Sequence, residues 1–257
     1  MDVSEPSEIR SGVGIQVIAR AADVLRTLQT APGGLSQAEL GERIGLARST
    51  VHRILNALED EGLVASGPRG RYRLGPEIPR LADAARRGLV VEIRPFLEAL
   101  SREINETVDL SVLDGDRATF IDQVAAPRRL RAVSAVGESF PLHCTANGKA
   151  LLASLPPRDL AAVLPSRMPR LTPHTITTAA ALRSELEQVR VDGVAYDREE
   201  HTEGIGAVGA VVRGLPGPPV AVSVPLPAQR FYGNEEFLRD ALLDYVGRIE
   251  ATLEPDR

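Results

Sequence analysis

The stretch "GLARSTVHRILNALEDEGLV", residues 45–64, decides the reading of the first third of the chain. At 100° per residue, Val51, Ile54, Leu55 and Leu58 fall on one side of a helix. Gly45 makes a turn before it and Gly62 ends it, so the helix is expected from about Ala47 to Glu61. The opposite side carries Ser49, His52, Arg53 and Asn56, with Arg48 and Thr50 flanking the N-terminal end. All of these hydrogen-bond readily to base edges or phosphates, and none is acidic. Glu59, Asp60 and Glu61 wait until the last turns, away from the end that leads into a major groove.

Working outward, Ser36 followed by Glu39 is a capping box that starts a preceding helix, with Leu40 and Ile44 on its apolar side. Two helices joined by a short glycine turn form a helix-turn-helix. Upstream, "QVIARAADVLRTLQ" places Val17, Ile18, Ala21, Val24, Leu25 and Leu28 on one helical stripe, and "APGG" stops it. Downstream, "LVASGPRGRYRLG" reads as strand, turn, strand, with Arg69, Arg71 and Arg73 around Tyr72. A basic hairpin in that place is the wing of a winged helix, set to touch backbone or minor groove. The candidate DNA-contacting set is therefore Arg20, Ser36, Gln37, Arg48, Ser49, Thr50, His52, Arg53, Asn56, Arg69, Arg71 and Tyr72. The chain as a whole is acidic, with a formal net charge of -5. Between Arg43 and Gly75, however, six arginines face three acids. The positive charge is local to the surface that needs it.

A length of 257 residues suggests two domains. Cys144 is the single cysteine, which excludes an internal disulfide and fits a reducing cytosol. The opening "MDVSEPSEIRSGVG" lacks the apolar run of a signal peptide, and no apolar stretch approaches the length of a membrane span. A cytoplasmic protein without a membrane partner is expected. The expected layout is a flexible tail over 1–13, a winged helix-turn-helix over 14–75, a linker helix over 76–88 and a second domain over 89–257.

That second domain reads as α+β. Helices are expected over Glu77–Arg87, as the linker, and over Val90–Asn105. "TVDLSVLDGDRATFIDQV" is a hairpin turning at Asp114-Gly115-Asp116. Further strands are expected at Leu130–Ala135, Val194–Tyr196, Ile205–Arg213 and Val220–Val224. Helices are expected at Asn147–Ser154, Ala180–Val191 and Glu235–Leu253. In "HCTANGKALLA" a loop of small residues runs into a helix start, whose free amides suit a carboxylate or other anion. Cys144 belongs to this loop, and Ala146, Asn147 and Gly148 keep the approach open.

An enzyme reading finds little support. His143 and Cys144 are sequence neighbours, which usually point apart, and nucleophile–base pairs come from distant segments. "EEHTE" (Glu199 to Glu203) lacks the spacing of a metal motif. No catalytic residue, metal ligand or cofactor is expected.

Three segments then carry a family resemblance. "GLARSTVHRILNALEDEGLVASGPRGRYRLG" (45–75) resembles the DNA-binding domain of IclR-type transcriptional regulators. "FPLHCTANGKALLA" (140–153) and "GVAYDREEHTEGIGAVGAVV" (193–212) resemble that family's ligand-domain signatures. The resemblance implies a GAF- or profilin-like effector domain, a homodimer or homotetramer, and a palindromic double-stranded operator. It places effector contacts on Phe140, Ala146, Asn147, Asp197, Ile205, Ala207 and Ser223. Asp197 and Ser223 would hydrogen-bond, and Phe140 and Ile205 would form apolar walls. Pro225 stands where the family often has a hydroxyl residue, and "AVVR" (Ala210 to Arg213) lacks a proline common there. The effector is expected to be a small carboxylate with a hydroxyl, amine or aromatic portion. A protein-binding sensor, or an enzyme with a Cys/His site, is the alternative.

Overall fold

The computed structural model describes residues 9–164, 167–215 and 217–253. The chain divides into two compact units, Met1–Arg87 and Gly88–Arg257.

The first unit contains α1 (Ile9–Gln29), β1 (Leu35–Ser36), α2 (Gln37–Ile44), α3 (Arg48–Asp60), β2 (Val64–Ser66) and β3 (Arg71–Leu74). The three strands form an antiparallel sheet in the order β1-β3-β2. The capping box at the start of α2 is present: Glu39 N donates to Ser36 Oγ and Ser36 N donates to Glu39 Oε2. Gly45 ends α2 in the left-handed region at φ 67°, which a side chain would oppose. Val51, Ile54, Leu55 and Leu58 are buried as their spacing required. They share a core with Val24, Leu28, Leu35, Leu40 and Val64.

Two expectations for this unit need correction. Helix α1 begins at Ile9, inside the segment read as a tail, while residues 1–8 lie outside the described ones. The stripe on α1 is also shorter than its periodicity suggested. Val24 and Leu28 are buried and Ala21 and Leu25 pack beside them, but Val17 and Ile18 are 50% and 72% exposed. The helix continues N-terminally past the core that its last two turns cover.

Helix α4 (Glu77–Ile104) is one element rather than the two expected, with Gly88 and Pro95 both inside it. Pro95 forfeits one helical hydrogen bond. The buried stripe of Ile93, Leu97, Leu100 and Ile104 holds the helix together around it.

The second unit adds β4 (Val108–Asp114), β5 (Arg117–Val124), β6 (Ser139–Pro141), α5 (Ala146–Ser154), α6 (Pro157–Val163) and α7 (Ala179–Asp192). There follow β7 (Ala195–Arg198), β8 (Ile205–Val212), β9 (Val220–Pro227), α8 (Ala228–Phe231) and α9 (Glu235–Leu253). The sheet is antiparallel in the order β6-β5-β4-β9-β8-β7. Helices cover both faces, in the α+β layout that the resemblance implied. Residues Leu130–Ala135 form no strand. Their apolar members do not alternate into a core: Leu130 and Val133 are exposed, and only Ala132 and Ser134 turn inward.

The period of two along each strand sorts the side chains between the faces. Val108, Leu110 and Val112 of β4 join Val208 and Val212 of β8 and Val222 and Val224 of β9 against α9 and the buried stripe of α4. Asp109 and Ser111, Ala207 and Gly209, and Ser223 and Pro225 therefore point to the other face, where α5 packs. Small and polar residues there leave a hollow between sheet and helix.

Candidate DNA-recognition head and ligand cleft

In the head, Arg48, Ser49, His52, Arg53 and Asn56 are exposed along α3, and Thr50 is half-buried. Gln37, Arg48, Ser49 and His52 line one shallow depression. Gln37 Nε2 donates to the carbonyl of Arg48 at 2.7 Å, tying α2 to the first turn of α3. Asn56 Nδ2 and His52 Nε2 lie 3.4 Å apart, one helical turn from each other. Of the acids, Glu59 has a structural role: its Oε1 accepts from the amide of Ser66 at 3.0 Å, fastening α3 to β2. That bond holds the Glu59 carboxyl below its usual value.

The remaining head candidates divide. Arg69 is exposed at the tip of the wing. Arg71 is not free: its guanidinium donates to the carbonyls of Gly33 and Gly34 and pairs with Glu39 at 3.3 Å. Tyr72 packs against the hydrophobic core. Ser36 spends its hydroxyl on the cap, and Arg20 is half-buried on α1. For Ser36, Arg71 and Tyr72 the sequence shows residue type but not which way the side chain goes.

The second unit holds a cleft of about 310 Å³ on the α5 face of the sheet. Phe140, Ala146, Asn147, Asp197, Ile205, Ala207 and Ser223 all line it. Cys144 and Gly148 are not among the lining residues. Cys144 is wholly buried, and burial, with the Asp197 and Glu200 carboxylates, pushes its thiol up to about 12. Such a thiol is inert as a nucleophile. Gly148 is needed for packing: an added Cβ would meet the backbone of Leu142 at 2.6 Å.

Sequence reading missed Asp109, Arg131, Ser134 and His201, which also line the cleft. Asp109 has a signal in hindsight, a carboxylate in mid-strand between Val108 and Leu110. It accepts from Gln123 Nε2 at 2.7 Å and Ser134 Oγ at 2.9 Å. Burial raises its carboxyl to about 7 despite those donors. Asp197 Oδ1 accepts from the amides of Glu200 and His201, at 2.7 and 3.4 Å. Burial, reinforced by the Glu200 carboxylate, raises it to about 7 as well.

The other walls differ in kind. Phe140 stacks on His201, centroids 4.3 Å apart, and meets Phe120 edge-on at 4.9 Å. Burial, followed by the charges of His143 and Arg117, lowers the His201 imidazole. At the helix end, Thr145 Oγ1 accepts from Gly148 N, while the amides of Ala146 and Asn147 have no intrahelical acceptor. Asn147 Nδ2 donates to Ser111 Oγ at 3.0 Å, which fixes its side chain. The cleft thus offers an aromatic wall, two buried carboxyls and a helix terminus, a mixture suited to one small organic molecule. Among the described residues no group of His, Cys, Asp and Glu could hold a metal ion.

A winged helix-turn-helix head followed by an α+β domain with a small-molecule cleft defines a one-component transcriptional regulator. Comparison with known proteins agrees. Residues 17–68 match the IclR helix-turn-helix domain. Residues 82–251 match the bacterial transcriptional regulator IclR C-terminal domain. The chain belongs to the IclR family of bacterial transcriptional regulators. The HTH-type transcriptional regulator Rv1719 of Mycobacterium tuberculosis is 69% identical over 249 residues, 96% of each chain. The HTH-type transcriptional regulator TtgV of Pseudomonas putida is 39% identical, over 93% of this chain and 92% of that one. The crystal structure of the Thermotoga maritima IclR superposes with a TM-score of 0.63 at 28% identity, covering 94% of this chain and all of that one. The families and relatives are regulators and not enzymes, so the Cys/His alternative falls.

Proposed function

We propose that this regulator binds a palindromic operator as a homodimer or homotetramer, in the cytoplasm, and releases or engages it in response to a small carboxylate with a donor or aromatic portion. The observation that carries the reading is the pairing of two separate surfaces. One is the exposed, acid-free N-terminal half of α3; the other is the cleft over the sheet. In the cleft the Ala146 and Asn147 amides suit an anionic end. Asp109 and Asp197 suit a hydroxyl or ammonium end, since a second carboxylate beside them would repel. The aromatic wall takes the apolar body. Control requires only that the effector bind two conformations with different affinity. Helix α4, continuous from Glu77 to Ile104, spans the residues at which the two units divide.

The test is a gel shift on the DNA upstream of the protein's own gene, with each arm of any inverted repeat scrambled in turn. Loss of the shift with either arm supports a palindromic site, and unchanged binding opposes it. A thermal-shift panel of hydroxy, amino and aromatic carboxylates then screens the cleft, with Asp197→Asn as control. A ligand that shifts both proteins equally binds elsewhere.

A further inference from the structure

Lys149 is the only lysine of the chain, and its side chain is wholly buried. Its Nζ donates to Glu185 Oε1 at 2.8 Å and to Glu200 Oε1 at 2.6 Å. Glu185 comes from α7 and is partly exposed, whereas Glu200 sits buried in the turn between β7 and β8. The second oxygen of Glu200 is buried without a hydrogen-bond partner. A network like this is a poor source of stability. Desolvating the charges offsets their attraction, and the orphan oxygen adds a further cost. Its position supplies a better reason for it.

The cleft is walled by two elements distant in sequence. One is the start of α5, with Ala146 and Asn147; the other is the β7–β8 turn, with Asp197 and His201. Lys149 lies within one helical turn of Ala146. Glu200 immediately precedes His201, and its own amide donates to Asp197. The ammonium on α5 therefore grips the turn that presents Asp197 and His201. On its far side the same turn is held by Thr172 and Thr175, whose hydroxyls donate to the carbonyls of Glu199 and Glu200 respectively, each at 2.6 Å.

We propose that Lys149 is a positioning residue of the cleft: through Glu200 it sets the separation of the Asn147 and Asp197–His201 walls, and so the ligands that fit between them. The proposal rests on reading the cleft as the effector site. Its test needs no effector, so failure of one leaves the other standing.

The chain has four histidines, His52, His143, His174 and His201, so their ring protons can be followed by NMR and assigned by single His→Gln changes. Glu200→Ala removes a negative charge, which by electrostatics alone lowers neighbouring imidazoles. His143, which the Glu200 carboxylate raises, should follow that direction and fall. If Glu200 clamps the turn, His201 does the opposite. Freed from its stack on Phe140 and rehydrated, its pKa rises toward the ordinary imidazole value. In Lys149→Met the loss of the ammonium by itself raises nearby imidazoles, so there the clamp is read from a rise at His201 larger than at His143, and Lys149→Arg, which keeps the charge, should suppress most of it. A His201 that titrates at or below its wild-type position in folded Glu200→Ala overturns the proposal. Should that variant fail to fold, Glu200→Asp, which keeps the charge but shortens the reach to Lys149, tests the same clamp. A rise at His201 supports the clamp, and no change or a fall contradicts it.

Discussion

Arg71 donates from Nε and Nη2 to the carbonyl oxygen of Gly34, at 3.1 and 2.8 Å, and so ties the wing strand β3 to the turn before β1. The same guanidinium pairs with Glu39, the carboxylate of the α2 capping box. Arg71→Ala should therefore act on the fold. With the side chain about two-fifths exposed, a loss of about 1 kcal/mol is expected. Urea unfolding checks this, and an unchanged midpoint beside weakened DNA binding would return Arg71 to the contact surface.

Arg69, exposed at the wing tip, should behave in the reverse way. Arg69→Ala should leave the unfolding midpoint alone and weaken binding to all sequences alike. The slope of log affinity against log salt should flatten by about one phosphate's worth. An effect confined to one base position would argue against a wing that touches the backbone.

Gly148→Ala should destabilise the second unit although alanine is the better helix former. The added methyl group would meet Leu142 Cα and O at 2.6 Å, and backbone atoms cannot swing aside. A cost of about 1–3 kcal/mol is expected, typical of overpacking. Wild-type thermal stability in this variant would mean that the α5–Leu142 approach is looser than described.

Asp109 predicts a pH dependence. A carboxyl raised from 3.8 to about 7 binds more protons folded than unfolded between those values. Its contribution to stability is full below the lower value and is lost as pH rises through the upper one. The half-buried Glu39, Glu59 and Glu199, held low by their hydrogen bonds, act in the opposite sense, and only in more acid solution. Between about pH 5 and about pH 8, then, the stability of wild type relative to Asp109→Asn should fall. Parallel urea-unfolding curves across that range would show that Asp109 is not held near neutrality.

These residues also mark what the sequence could and could not disclose. The buried stripe of α3, the capping box and the hairpin at Asp114–Asp116 follow from spacing along one element, and the structure has them. Leu130–Ala135 carried strand-forming residues, but a strand also needs a neighbour to pair with, and that segment is an unpaired connection between β5 and β6. The expected break between Arg87 and Val90, at Gly88, does not occur in α4. In the cleft, seven positions came through the family's motifs. Asp109 and His201 are cleft residues only because of which way their strand or turn faces. The Lys149–Glu200 contact joins residues 51 positions apart, and no local pattern reports it.

Sequence-specific DNA recognition by the N-terminal half of α3 is the claim on which the rest depends. It is tested most directly by fluorescence anisotropy on the protein's own upstream DNA, at one fixed salt, with wild type, Arg48→Ala and Arg53→Ala. Both arginines are exposed, so neither change should alter folding. Each substitution should cost about 1–3 kcal/mol in binding, roughly five- to 150-fold in affinity, and relax the preference for upstream over unrelated DNA. Equal affinity of all three proteins for that DNA would contradict the account.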